Sequence, residues 1–297
     1  ILCNDIKSLD LIFKHCQLYD VNDSELHKFS SIISTTLLGL KEKNAIGIYS
    51  ELLHTQNFRD SVPFLFIDYA NLTSRYLKIL ELINKKSDRP SDLFFVSLMK
   101  FHLYFYTEKT SDIAKYELQV PKGFDSFYPV LVGRYYGYLV LRSFKLEKTL
   151  KQQIIALCKR SKNISMVIEE IIPALIIKNE ISFLDHISTK YYEEILESDK
   201  WSSPTTNAIF IIGLACVQID KNDFKAATIN LNLIDLKKIE LSYEIYISLF
   251  YFLTSLKISF HKKLKAQNRL EFSQIKRLVK ISKFTKFSKE ADKFRLG

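Results

Sequence analysis

The sequence predicts an all-α protein built from stacked helical hairpins, and three observations carry that prediction. Glycine and proline are scarce, at 7 and 6 residues in 297, where average usage would give about 20 and about 15. Sandwiches and barrels need many Gly/Pro turns, and dinucleotide-binding folds need glycine-rich loops. Apolar residues recur at helical spacing almost from end to end. That periodicity is broken roughly every 15 to 25 residues by short polar turns, the rhythm of helices that pair and stack, each pair burying one face on the next.

In order along the chain, the periodicity places helices at 5–18, 23–40, 44–56, 62–84, 91–107, 110–117, 128–145, 148–160, 164–178, 180–197, 205–220, 223–235, 242–261, 269–282 and 286–294. Ser91-Asp92 after Pro90, Ser203 before Pro204, and Ser242 before an apolar run supply start signals. A Ser or Asp oxygen accepts from free first-turn amides, and proline at the first position has no amide to lose. Pro173 in "IEEIIPALII" is expected to kink or break its helix, because it removes a backbone donor. The stretch 119–129, "QVPKGFDSFYP", is the longest turn-like segment. It is too short for a flexible linker, so it marks at most a waist between two lobes of one body.

Two glycines in "VGRYYGYLVLRSF" (132–144) need an explanation. A glycine inside a helix costs about 1 kcal/mol relative to alanine. Gly133 and Gly137 are one turn apart, so they predict a helix face on which a neighbouring backbone comes close. Arg134, Tyr138 and Arg142 form a second stripe at i, i+4, i+8. It reads either as arginine stems covering apolar surface or as a groove that holds carboxylates, which guanidinium groups bind bidentately. Asn71 and Arg75 in "DYANLTSRYL" form a shorter polar stripe with the same two readings.

The net charge of +10 is concentrated. Residues 257–297 hold thirteen Lys/Arg against Glu271, Glu290 and Asp292, so the whole excess of the chain lies there. A field of that sign attracts phosphates, acidic protein segments or anionic lipid. The segment also has apolar positions at helical spacing: Ile275, Leu278, Val279, Phe284, Phe287, Ala291 and Phe294. Lys276, Lys280 and Lys283 recur at i, i+4, i+7 on another face and are the candidate contacts to an anionic partner, nucleic acid among them.

Motifs of chemistry are missing from the sequence. There is no G-x-x-x-x-G-K-[ST], G-x-G-x-x-G, H-E-x-x-H or G-x-S-x-G. Asp185-His186 has no identifiable nucleophile beside it, and His15-Cys16 reads as ordinary packing. Glu169-Glu170 and Glu193-Glu194 are adjacent, so on a helix their side chains diverge by about 100°, and both read as solvated faces. Cysteines at 3, 16, 158 and 216 form no C-x-x-C pair. The expectation is a non-catalytic cytoplasmic protein without metal, cofactor or integral membrane segment. The first residue is Ile rather than Met, which leaves room for an upstream domain.

One region carries a family likeness. In "IIGLACVQIDKNDFKAATINL", Ile212-Gly213 is followed by Cys216, then by Asn222-Asp223-Phe224 and Ala227. Val132-Gly133 followed by Tyr136, and "TLLGL" around Gly39, repeat the first part more faintly. The pattern resembles a tetratricopeptide repeat, with Gly213 as the first-helix glycine, Phe224 as the second-helix aromatic and Ala227 as the small residue where the helices meet. It departs from that repeat in a longer turn, in Cys216 where a tyrosine is usual, in the missing closing proline, and in the 80-residue spacing of Gly133 and Gly213. The resemblance implies a right-handed superhelix of stacked hairpins whose concave groove binds a peptide or protein segment. Some bacterial regulators with a similar layout place such an array after a DNA-binding helix-turn-helix and respond to small peptides.

Overall fold

The computed structural model describes residues 90–108, 118–124, 129–161, 164–193, 203–239 and 244–296. Among them are ten α-helices, a 3-10 turn at Leu236–Lys238 and no strand, so the fold is all-α. The helices are α1 (Pro90–Thr107), α2 (Pro129–Arg142), α3 (Lys148–Arg160), α4 (Ile164–Ile177), α5 (Ile181–Lys190), α6 (Pro204–Asp220), α7 (Phe224–Leu231), α8 (Glu244–His261), α9 (Lys265–Ser282) and α10 (Thr285–Asp292). None of these helices is long and apolar enough to cross a membrane. The helices expected within 5–84 and at 110–117, together with Asn71, Arg75, Gly39 and His15-Cys16, lie outside the described residues.

The chain divides into two units. The first is Ile1–Pro121 with Glu240–Ile245 and Ile281–Lys283; the second is Lys122–Ile239 with Tyr246–Lys280 and Phe284–Gly297. In the first unit, α1 is buried on most of its circumference: Leu98, Met99, Phe101 and Leu103 have no exposure to solvent. A helix apolar all round needs cover all round. Phe101 and Phe105 stack at 6.0 Å, and Glu108, in the left-handed region at φ 58°, ends the helix.

In the second unit α4 is the hub, packed against α2, α3, α5 and α6. Its sequence explains this: Val167, Ile168, Ile171, Ile172, Ala174 and Leu175 are all buried, on every side of the helix. Pro173 does not break it, and α4 runs unbroken from Ile164 to Ile177. The lost backbone bond is outweighed by burying apolar surface around the whole turn that contains it.

The α2–α4 seam settles the glycine question. An added Cβ on Gly133 would lie 2.9 Å from the Val167 carbonyl oxygen, and on Gly137 it would lie 2.8 Å from that of Glu170. Backbone meets backbone at both points, and no larger residue fits without moving a helix.

Further along, α6 and α7 form a hairpin. Ser203 accepts from the Thr206 amide at 3.1 Å with Pro204 following, as its sequence predicts. Asp223 accepts from the Ala226 amide at 2.9 Å, and Asn222 makes the turn at φ 60°. Ala227 is fully buried where the hairpin closes. The expected helices 128–145 and 223–235 overran the observed ones, which stop at Arg142 and Leu231, and α9 starts four residues earlier than expected. The end of the expected helix 180–197 lies outside the described residues.

The basic segment is folded against the rest of the second unit. Phe287 of α10 meets Phe250 of α8 edge-on at 4.9 Å, and Ile275, Phe284 and Ala291 are buried. A polar network fixes the chain after α10. Glu271 accepts from Ser255, from Ser259 at 2.6 Å and from Gln267 at 2.8 Å. Asn268, without solvent exposure, donates to the Phe294 carbonyl at 3.0 Å and accepts from the Leu296 amide at 2.8 Å.

Candidate functional site

The candidate site is an open cleft of about 840 Å³ where α2 ends and α3 begins. Its shape follows from how α2 is stopped. No glycine or proline ends the helix. Instead Lys178 donates to the Ser143 carbonyl at 2.5 Å, and Glu180 accepts from the Leu146 amide at 3.3 Å. Those two bonds hold the 143–147 loop against the segment after α4. Leu146 is thereby turned into the core, while Phe144 stands fully in solvent.

Leu139, Leu146 and Leu150 make the floor, and Arg142, Lys145 and Lys148 stand on the rim with Glu147. The charge of the rim is therefore positive. Lys151 is set apart from it, because it pairs with Glu180 at 3.5 Å. Arg142 is held in place by a hydrogen bond to the Tyr138 hydroxyl at 2.5 Å, and its guanidinium carbon sits 5.8 Å from the Tyr138 ring centre. That bond uses one of five N–H donors, so the exposed guanidinium keeps donors for an anion. Tyr138 is itself buried and stacks on Tyr135 at 6.0 Å. Burial, and then the neighbouring Tyr138 and Tyr136, push the Tyr135 phenol above its usual pKa. The arrangement can grip an apolar group next to a negative one.

The stripe expected from the sequence is divided by the structure. Arg142 lines the cleft and Tyr138 supports it. Arg134 has no solvent exposure and is spent on Glu170 of α4: Nε donates to Oε2 at 3.0 Å and Nη2 to Oε1. It offers no surface to a ligand. The reading of Glu169-Glu170 as a solvated face is corrected at the same point. The two side chains do diverge, but each enters a neighbouring helix: Glu170 meets Arg134, and Glu169 accepts from Thr206 of α6 at 2.6 Å. Lys145, Lys148 and Phe144 were missed because the apolar spacing runs through Leu146 as though α2 continued.

Elsewhere, Asp185 pairs with Lys221 at 2.8 Å, and exposed His186 stacks on Phe183 at 6.4 Å. Lys276 reaches Ser288 at 2.5 Å and Asp292 at 3.0 Å. Lys280 is exposed on α9, and Lys283 follows the end of that helix at φ 64°. Comparison with family models, with curated proteins and with solved structures gave no match.

Proposed function

We propose that this protein is a non-catalytic helical scaffold or sensor that binds a peptide or protein segment in the cleft between Leu139 and Gln153. The bound segment carries an apolar side chain for the leucine floor and Phe144, with a carboxylate beside it for Arg142. The observation that carries this reading is the pairing of a positive rim with an apolar floor around a fully exposed phenylalanine. Apolar concavities rimmed by polar residues mark ligand-binding grooves and protein-interaction sites. Stacked pairs such as α6–α7 on α4–α5 fit a TPR-like superhelix, and in this reading the protein is the effector part of a regulator.

The test is selection of random twelve-residue peptides on the purified full chain, followed by fluorescence anisotropy of the enriched sequences. Enriched peptides are expected to combine Asp or Glu with an aromatic or aliphatic residue. They should bind Arg142→Glu and Phe144→Ser proteins at least tenfold more weakly. Both residues are exposed, so the variants should melt like wild type. No enrichment, or equal binding by both variants, would overturn the reading.

A further inference from the structure

We infer that the outer face of α9 binds the phosphates of a nucleic-acid duplex without reading its sequence. This site is separate from the cleft and does not depend on it. At about 100° per residue, Lys265, Arg269, Lys276, Arg277 and Lys280 all fall within about 120° of the helix circumference. Between them lie only Ser273 and Ala266. Lys265, Arg269, Arg277 and Lys280 are exposed. From Lys265 to Lys280 the helix rises about 22 Å at 1.5 Å per residue, so the cations form a straight ridge.

The acids of the region do not cancel that ridge. Glu271 lies on the opposite side of α9 and is buried among Ser255, Ser259 and Gln267. Glu290 is taken by Lys293 at 2.7 Å, and Asp292 by Lys276. Among the described residues, Lys265, Arg269, Arg277 and Lys280 have no acidic partner. Four uncompensated cations on one rigid ridge are what a regular array of phosphates recruits, through release of its condensed counterions.

A duplex suits the ridge better than a single strand. Single strands are held largely by bases stacking on exposed aromatic faces, and Phe272, the aromatic of α9 that borders the ridge, is only partly exposed and is faced by two cations. Lys276 lies 5.0 Å from its ring centre and Arg295 lies 4.9 Å from it. An α-helix also has the width of a duplex major groove, where both phosphate walls come within reach of such side chains.

The test is anisotropy titration of the full chain with labelled 20-base-pair duplexes of two unrelated sequences, at about 50 and about 200 mM salt. Four phosphate contacts predict a loss of affinity of about 100-fold between those salts, with both sequences bound alike. The triple variant Arg269→Gln, Arg277→Gln, Lys280→Gln should keep the wild-type circular dichroism and melting temperature, yet bind at least tenfold more weakly with a shallower salt slope. No binding at the lower salt, unchanged binding by the variant, or preference for a single strand would overturn the inference. Binding of polyglutamate or of phosphatidylserine vesicles as tightly as the duplex would also overturn it, and would assign the ridge to those partners.

Discussion

Arg134 of α2, without solvent exposure, and Glu170 of α4, nearly so, meet through two hydrogen bonds. The pair sits on the same seam as Gly133 and Gly137, so the closest backbone approach and a desolvated ion pair share one helix contact. Removing either partner takes from the other the two charge-assisted bonds it makes across the seam.

Breaking this pair one residue at a time should cost about 3–5 kcal/mol. Arg134→Met and Glu170→Gln are each expected to lower the urea midpoint sharply. The double replacement Arg134→Met, Glu170→Leu should recover much of that loss, because it removes both charges of the pair together. Equilibrium unfolding of the three variants checks this; a double variant as unstable as the sum of the singles would refute it.

The glycines should respond differently to the same small change. Gly137→Ala places a methyl 2.8 Å from a backbone carbonyl that cannot step aside, and should cost about 1–3 kcal/mol. Gly137→Leu should lower the melting temperature by several degrees more. At Gly213 the nearest atoms are side-chain methyls of Ile172 and Leu184 at 3.2 and 3.4 Å. There Gly213→Ala should be close to neutral, since the helix propensity of alanine, worth about 1 kcal/mol, offsets a slight crowding. Thermal denaturation of the three variants separates backbone contact from side-chain contact.

Asn268→Leu should release the chain after α10. It removes the bonds to the Phe294 carbonyl and the Leu296 amide while filling a similar volume. Limited proteolysis read by mass spectrometry should then show cleavage near Lys293 and Arg295 well before the rest of the protein is cut. Wild-type protection of those bonds in the variant would contradict the role given to Asn268.

Cys216 predicts a pH dependence of known sign. Burial raises its thiol above the ordinary pKa, and the effects of Lys257 and Thr254 only partly oppose it. A raised acid means that the folded state resists forming the thiolate. Its contribution is complete below the unfolded thiol value and is lost as pH climbs toward the folded one. Wild type should therefore lose more stability than Cys216→Ala between about pH 7.5 and pH 9.5, as read by urea unfolding. Tyr135 and Tyr251 are shifted in the same direction, so both proteins keep part of the slope and the difference between them isolates the thiol.

What was legible in the sequence was whatever has a local cause. The Gly133–Gly137 contact could be read because two helix-interior glycines carry a cost that needs compensation. Ser203-Pro204 marked the start of α6 because capping uses neighbours in the chain. Arg134 could not be placed: its partner is 36 residues away, and periodicity says which residues share a face but not what covers it. The cleft was hidden for a related reason. Lys178 and Glu180 end α2 from outside it, and no residue within 142–147 announces the stop.

The α2–α4 seam also explains how a chain of interchangeable apolar helices keeps a single alignment. If α2 slid along α4 by one turn, about 5.4 Å, Leu141 would face the carbonyl that Gly137 now meets. Tyr138 would stand where Arg134 now does, leaving Glu170 without its cation. The seam thus works as a notch and a key, and the five residues from Gly133 to Gly137 count out the only setting in which both engage.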